Sequence, residues 1–260
     1  MSNFCFSCGL PLGPKAAFCS HCGALTDPTK AIQAPRGPAW QERKGSASWD
    51  DLRPLLGFYG IILILFTIFG LVERFTKGPG VSLILDVLFD SLIVGFLIMN
   101  WAKVAPAFRL RPLVSKVLFE LFCLSVLLFF FLKLYFGAFD FFHWPTIQLS
   151  ESYLKAGWPI WSIFLINAVQ PGIFEEIAFR GIIQTRLNRI LPWKEALLIQ
   201  AALFSILHLS AMILVSHFLM GLLLGWVRLR TRQVYWGMLM HMAWNSLVLA
   251  EEIYPHWHLF

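Results

Sequence analysis

Charge is scarce in this sequence: only 14% of its 260 residues are Asp, Glu, Lys or Arg, against about 25% in an average soluble domain. That shortage excludes an ordinary soluble enzyme. Residues 1–54 have no apolar run long enough for a signal-peptide core, so nothing marks that segment for export. Beyond residue 22 the chain has a single cysteine, Cys123, most simply an apolar core residue. No internal repeat is present, which weighs against a transporter built from repeated, interrupted helices.

What the chain has in excess is apolar surface. Hydrophobic residues make up 58% of it, with 25 Phe and 11 Trp, more than one globular core can hide, so most of that surface must face lipid. The formal charge of +6 is then explained by basic cytoplasmic loops, and no nucleic-acid partner is expected. The pattern predicts an all-α polytopic membrane bundle of about seven helices, with residues 1–25 a small cysteine module, 26–54 a flexible linker rich in Pro, Gly and Ser, and 55–260 the membrane domain.

The expected spans are Leu55–Val72, Val81–Ala102, Val117–Phe136, Pro159–Ile183, Ala196–Ser210, Met212–Val227 and Val234–Ala250. The fifth and sixth must be short. Only 33 residues separate Lys194 from Arg228, so each leg rises about 23 Å against a hydrocarbon core of about 30 Å, and a thinned bilayer is expected there. With these spans, seventeen of the 21 Lys and Arg fall on one side and only Arg74, Lys77, Lys133 and Lys155 on the other. The N-terminus is therefore expected in the cytosol and the C-terminus outside.

Cys5-x-x-Cys8-Gly9 and Cys19-x-x-Cys22-Gly23 are two knuckles ten residues apart, the spacing that brings four thiolates around Zn²⁺. A reducing cytosol disfavours disulfides, and so short a module has no core of its own, so the metal would supply its folding energy. Cys5, Cys8, Cys19 and Cys22 are the expected ligands, with His21 in place of one cysteine and a redox pair as alternatives. A fully ligated Cys₄ zinc is structural, and its task would be docking a protein partner or regulation.

Ionisable side chains inside a span are site candidates by default. The fourth span carries Glu175, Glu176 and Arg180, the fifth Phe204-x-x-x-His208, the seventh His241-x-x-x-Asn245. Adjacent carboxylates point about 100° apart, so Glu176 and Arg180 at i,i+4 form the expected structural ion pair, leaving Glu175 to face elsewhere. Three helices thus offer a carboxylate, two imidazoles and an amide at depths that allow them to meet in one cavity open to the cytosol. His143, His217, His256 and His258 lack such company and read as incidental. Asp86 and Asp90 on one face of the second span, with Glu120 and Lys133 in the third, motivate a transporter reading.

Glu175-Glu176-x-x-x-Arg180, Phe204-x-x-x-His208 and His241-x-x-x-Asn245, in that order on separate spans, resemble the motifs of the CAAX protease and bacteriocin-processing family, also called the ABI family, of intramembrane proteases. The resemblance covers about residues 158–250 and departs at no motif position. It implies a peptidase in a bacterial inner membrane, with Glu175 and His208 activating a water and His241 and Asn245 stabilising the oxyanion. Glu176, Arg180 and Phe204 support them. The substrate implied is a hydrophobic or lipidated peptide, although nothing in the chain shows prenylation. A catalytic metal on Glu175 and the two histidines is a less favoured alternative. A non-proteolytic scaffold, immunity or regulatory protein, using the zinc ribbon for partner binding, is the competing class.

Purified full-length protein is expected to hold about one Zn²⁺, as four thiolates complete one tetrahedral site. Metal analysis of wild type and of Cys5→Ser with Cys19→Ser checks this: zinc absent from the first, or unchanged in the second, removes the ribbon.

Overall fold

The computed structural model describes residues 49–76, 79–110, 115–143, 148 and 150–254. The cysteine module, most of the linker, and His256 and His258 lie outside the described residues. Every regular element among those described is helical. The chain runs through α1 (Trp49–Thr76), α2 (Pro79–Met99), a short α3 (Trp101–Val104) continued by the 3₁₀ turn Ala105–Phe108, α4 (Ser115–Phe141), a short α5 (Glu151–Lys155), a long α6 (160–190), α7 (Trp193–Leu207), α8 (Leu214–Thr231) and α9 (Tyr235–Ile253). Helices stand at all seven expected positions, but α1 begins six residues earlier than Leu55. Pro54 lies so close to the helix start that its missing N–H forfeits a single early hydrogen bond.

Three helices contain stretches long and apolar enough to cross a membrane, Leu52–Val72, Pro79–Met99 and Val117–Phe139. They leave Ile64, Ile84, Ile98, Phe119 and Leu134 exposed, an apolar surface that suits lipid and not water. Cys123 shares this outward face of α4 and is no core residue. The expected core position fails because the motif-bearing helices bury only a narrow strip of α4.

The remaining long helices gather around α6. Its segments touch α2, α7, α8 and α9, and α4 leans on α8. Phe58 and Ile62 of α1, Ile93 of α2, Phe179 and Ile182 of α6 and Leu224 of α8 form the shared core. Helix α6 continues to residue 190, beyond the expected end at Ile183, because its last turns dock on α3: Arg186 donates to Asn100 Oδ1, and Arg189 Nη2 donates to the Lys103 carbonyl at 2.5 Å. Arg180, counted with the basic loops in the orientation argument, belongs to the bundle interior.

Two stretches of α6, Leu165–Val169 and Ile177–Ile183, are π-helical and bracket the α-helical Gln170–Glu176. The first precedes Pro171, which cannot donate to residue 167 and so loosens the turn before it. Gln170 and Gln184 bond five residues back, to Leu165 and Phe179. The two wide turns set the direction in which the enclosed Glu175 and Glu176 point.

Helices α7 and α8 approach at Gly221, where an added Cβ would lie 2.9 Å from Ala201 Cα. Gly221-x-x-x-Gly225 is a small-residue seam of the kind that lets membrane helices pack backbone to backbone. Because backbone cannot move aside as a side chain can, Gly221→Ala is expected to destabilise the protein by about 1–3 kcal/mol. Gly70→Ala, where nothing lies within 4 Å of the new Cβ, is expected to leave stability unchanged or raised. Thermal unfolding of both variants in one detergent checks the contrast.

Candidate active site

The centre of the site is a buried ion pair on α6. Arg180 Nη1 donates to Glu176 Oε1 at 2.7 Å, and both side chains are 0% exposed. The expected i,i+4 pair is therefore formed. Bringing two charges into a low-dielectric interior is tolerated only when hydrogen bonds satisfy them, and the neighbouring helices supply these. Arg180 Nη2 also reaches the Gly221 carbonyl at 3.4 Å, and the guanidinium lies 4.5 Å from the Phe204 ring centroid. The same carbonyl accepts from Gln200 Nε2 at 2.7 Å, while Gln184 Nε2 donates to the Gly225 carbonyl at 3.0 Å. The glycine seam on α8 thus presents its backbone oxygens to side chains of α6 and α7.

Helix α9 completes the centre. His241 Nδ1 donates to Glu176 Oε1 at 3.2 Å, and its Nε2 lies 3.8 Å from Glu175 Oε2. One imidazole therefore contacts both carboxylates, although their positions on α6 diverge. Glu176 is more than a partner for Arg180: it fixes the tautomer of His241 and turns Nε2 toward Glu175. The Glu175 side chain is 18% exposed and Glu176 none, so water can reach only the former.

Phe204, 0% exposed, ties the groups together. Its ring meets His208 at 5.0 Å, His241 at 6.0 Å and His217 at 6.0 Å between centroids. His208 caps the C-terminus of α7, and its Nδ1 donates to the Phe204 carbonyl at 2.8 Å. Asn245 is half-buried one turn beyond His241 on α9. Glu175, Glu176, Arg180, Phe204, His208 and His241 are thus brought together, with Asn245 next along the same helix.

Three expectations are revised here. His217 is not incidental: its ring lies 4.0 Å from that of His208. Gly237, which sequence reading passed over, faces the buried pair, and a Cβ there would come within 2.5 Å of Glu176 Oε2. Its signal was a glycine one helical turn before His241, on the same face. The in-span charges behind the transporter reading meet fixed partners: Asp90 accepts from Gln170 at 2.9 Å, Glu120 from Arg230 and Trp226, and Lys133 pairs with Glu251. Elsewhere, His143 is exposed on the turn after α4. Among the described residues no three His, Cys, Asp or Glu are grouped to hold a metal ion, so Glu175, His208 and His241 are not assembled as a metal triad.

Arg180→Ala strands the Glu176 carboxylate in the interior and is expected to lower stability by about 3–5 kcal/mol. Gly237→Ala, by forcing Glu176 Oε2 aside, is expected to be destabilising as well. Thermal unfolding in detergent checks both. Wild-type stability in either variant would contradict the geometry described above.

Comparison with known proteins agrees with this site. Residues 157–247 match the model of the Rce1-like family, described as type II CAAX prenyl endopeptidase Rce1-like. No curated protein and no solved structure matches the chain. The matched stretch runs from the start of α6 through Asn245 and contains every motif residue described above, and in it the chain belongs to the CAAX protease family of membrane-embedded endopeptidases.

Proposed function

We propose that this protein is an intramembrane endopeptidase in which Glu175 acts as general base on a water that attacks a peptide carbonyl. The observation that carries the reading is the division between the two adjacent carboxylates: Glu176 is sealed against Arg180 and His241, while Glu175 is open to water and faces His241 Nε2 at 3.8 Å. A base must reach the proton it takes, and only Glu175 can.

In this reading Glu175 accepts a proton from water as the water oxygen bonds to the carbonyl carbon, then delivers it to the leaving amine. With its Nδ1–H engaged by the Phe204 carbonyl, His208 offers Nε2 as a second acceptor to the same water. His241, protonated on Nε2, and the Asn245 amide donate to the oxyanion. Glu176 on the other nitrogen of His241 offsets the imidazolium charge, the part a buried acid plays in a Ser-His-Asp triad.

A hydrophobic or lipidated peptide suits the surroundings. Beside the site, α4, α8 and α9 enclose an apolar cavity of about 430 Å³. Met240 and Trp244, which immediately precede His241 and Asn245, are part of its lining. The site would open to the cytosol, with the N-terminal zinc ribbon on the same side and available to a protein partner.

Glu175→Gln keeps the size of the side chain and removes its basicity. Cleavage is expected to fall at least about 10²-fold, the usual contribution of a positioned base, with thermal unfolding unchanged. The readouts are hydrolysis of a farnesylated CAAX peptide and a proteomic comparison of membrane peptides in cells carrying wild type or the variant. If the two proteins are indistinguishable in both, the endopeptidase reading fails in favour of a scaffold.

A further inference from the structure

His217 lies outside the motifs and has no part in the mechanism above, yet its surroundings mirror those of His208. Each imidazole spends Nδ1–H on a backbone carbonyl, His208 on Phe204 at 2.8 Å and His217 on Ile213 at 3.0 Å. Their rings sit 4.0 Å apart, tilted by 49°, and both pack on Phe204. With both Nδ1 positions engaged as donors, both Nε2 atoms are lone-pair acceptors.

The backbone around the pair is held firmly. Leu209, directly after His208, has φ +50 without being glycine, a strained conformation that persists only where the surroundings over-determine it. Ser205 donates to the Leu214 carbonyl across the α7–α8 turn, and Tyr135 of α4 donates to the Met212 carbonyl at 2.7 Å. Ser216 lies 3.2 Å from His217 Nδ1. Packing alone would be met by any ring at position 217, whereas two neighbouring acceptors in a water-poor cavity call for one donor that serves both. A single water has two O–H groups.

We infer that His217 is a water-positioning residue, which with His208 holds the nucleophilic water by accepting its second O–H. This rests on the endopeptidase reading. Hydrogen-bonded to both imidazoles, the water keeps its lone pairs free toward the scissile carbonyl, which is the orientation that attack requires. The proton taken in the reaction still passes to Glu175, so no further co-reactant is needed.

The test compares His217→Phe, which keeps a ring against His208 and removes the acceptor, with His217→Gln, which restores an acceptor oxygen. Both are measured beside wild type, Glu175→Gln and His208→Ala on the farnesylated CAAX peptide in detergent, with thermal unfolding as the control for folding. His217→Phe is expected to lower kcat at least about 10-fold with KM within about 2-fold, since it removes one positioned hydrogen bond of about 1.4 kcal/mol or more. His217→Gln should recover part of that loss, and His217→Phe should cost far less in the His208→Ala background. Wild-type kcat in His217→Phe, additive losses in the double variant, or equal losses in the Phe and Gln variants would overturn the inference. If those results come with a strongly impaired Glu175→Gln, the endopeptidase reading stands and only the role of His217 falls. A wild type that leaves the peptide intact and an unchanged set of membrane peptides would remove both.

Discussion

Burying Glu176 and Arg180 at 0% exposure is the constraint around which the rest of this bundle is arranged. Each charge loses several kcal/mol of solvation in the interior, and their mutual attraction compensates only if remaining hydrogen-bonding capacity is met. That requirement reaches every neighbouring helix. Helix α8 must offer a bare carbonyl at Gly221, α7 must bring the Phe204 ring over the guanidinium, and α9 must supply His241 to the carboxylate while leaving room for it at Gly237. The close helix approaches at Gly221 and Gly237 are therefore consequences of the ion pair as much as of apolar packing.

Two carboxylates side by side in sequence end with opposite fates because helix geometry turns one inward and leaves the other at the cavity. Glu176 becomes a fixed negative charge that orients His241. Glu175 keeps contact with water and with the remaining nitrogen of that same imidazole. The π-helical stretches on either side of Gln170–Glu176 allow this divergence without breaking α6, in keeping with the frequency of such turns at functional sites. A strictly α-helical α6 would rotate Glu176 and Arg180 differently against α8 and α9.

The membrane shapes the division of labour among helices. Helices α1, α2 and α4 present apolar side chains outward and contribute narrow buried strips, while α6, α7, α8 and α9 carry almost all the buried polar groups. Polar side chains are affordable there because each finds a partner on a neighbouring helix, and helix α4 is fastened to that unit at both ends, by Glu120 with Arg230 and by Tyr135 with the Met212 carbonyl. Between those two fastenings lies the apolar cavity beside the site.

The positions of the seven long helices and the Glu176–Arg180 pair were legible in the sequence, because hydrophobic run length and i,i+4 spacing are local properties of one helix. So were the three motifs, whose residue types have no cheap place in lipid. The sequence alone could not reveal that His241 touches both carboxylates, that Gly237 is the space into which Glu176 fits, that His217 pairs with His208, or that Cys123 faces outward. Each of those depends on the rotation of one helix against another. That rotation is determined jointly by the π turns of α6, the glycine seam of α8 and the demand of a buried charge for partners, which become definite only when the helices pack.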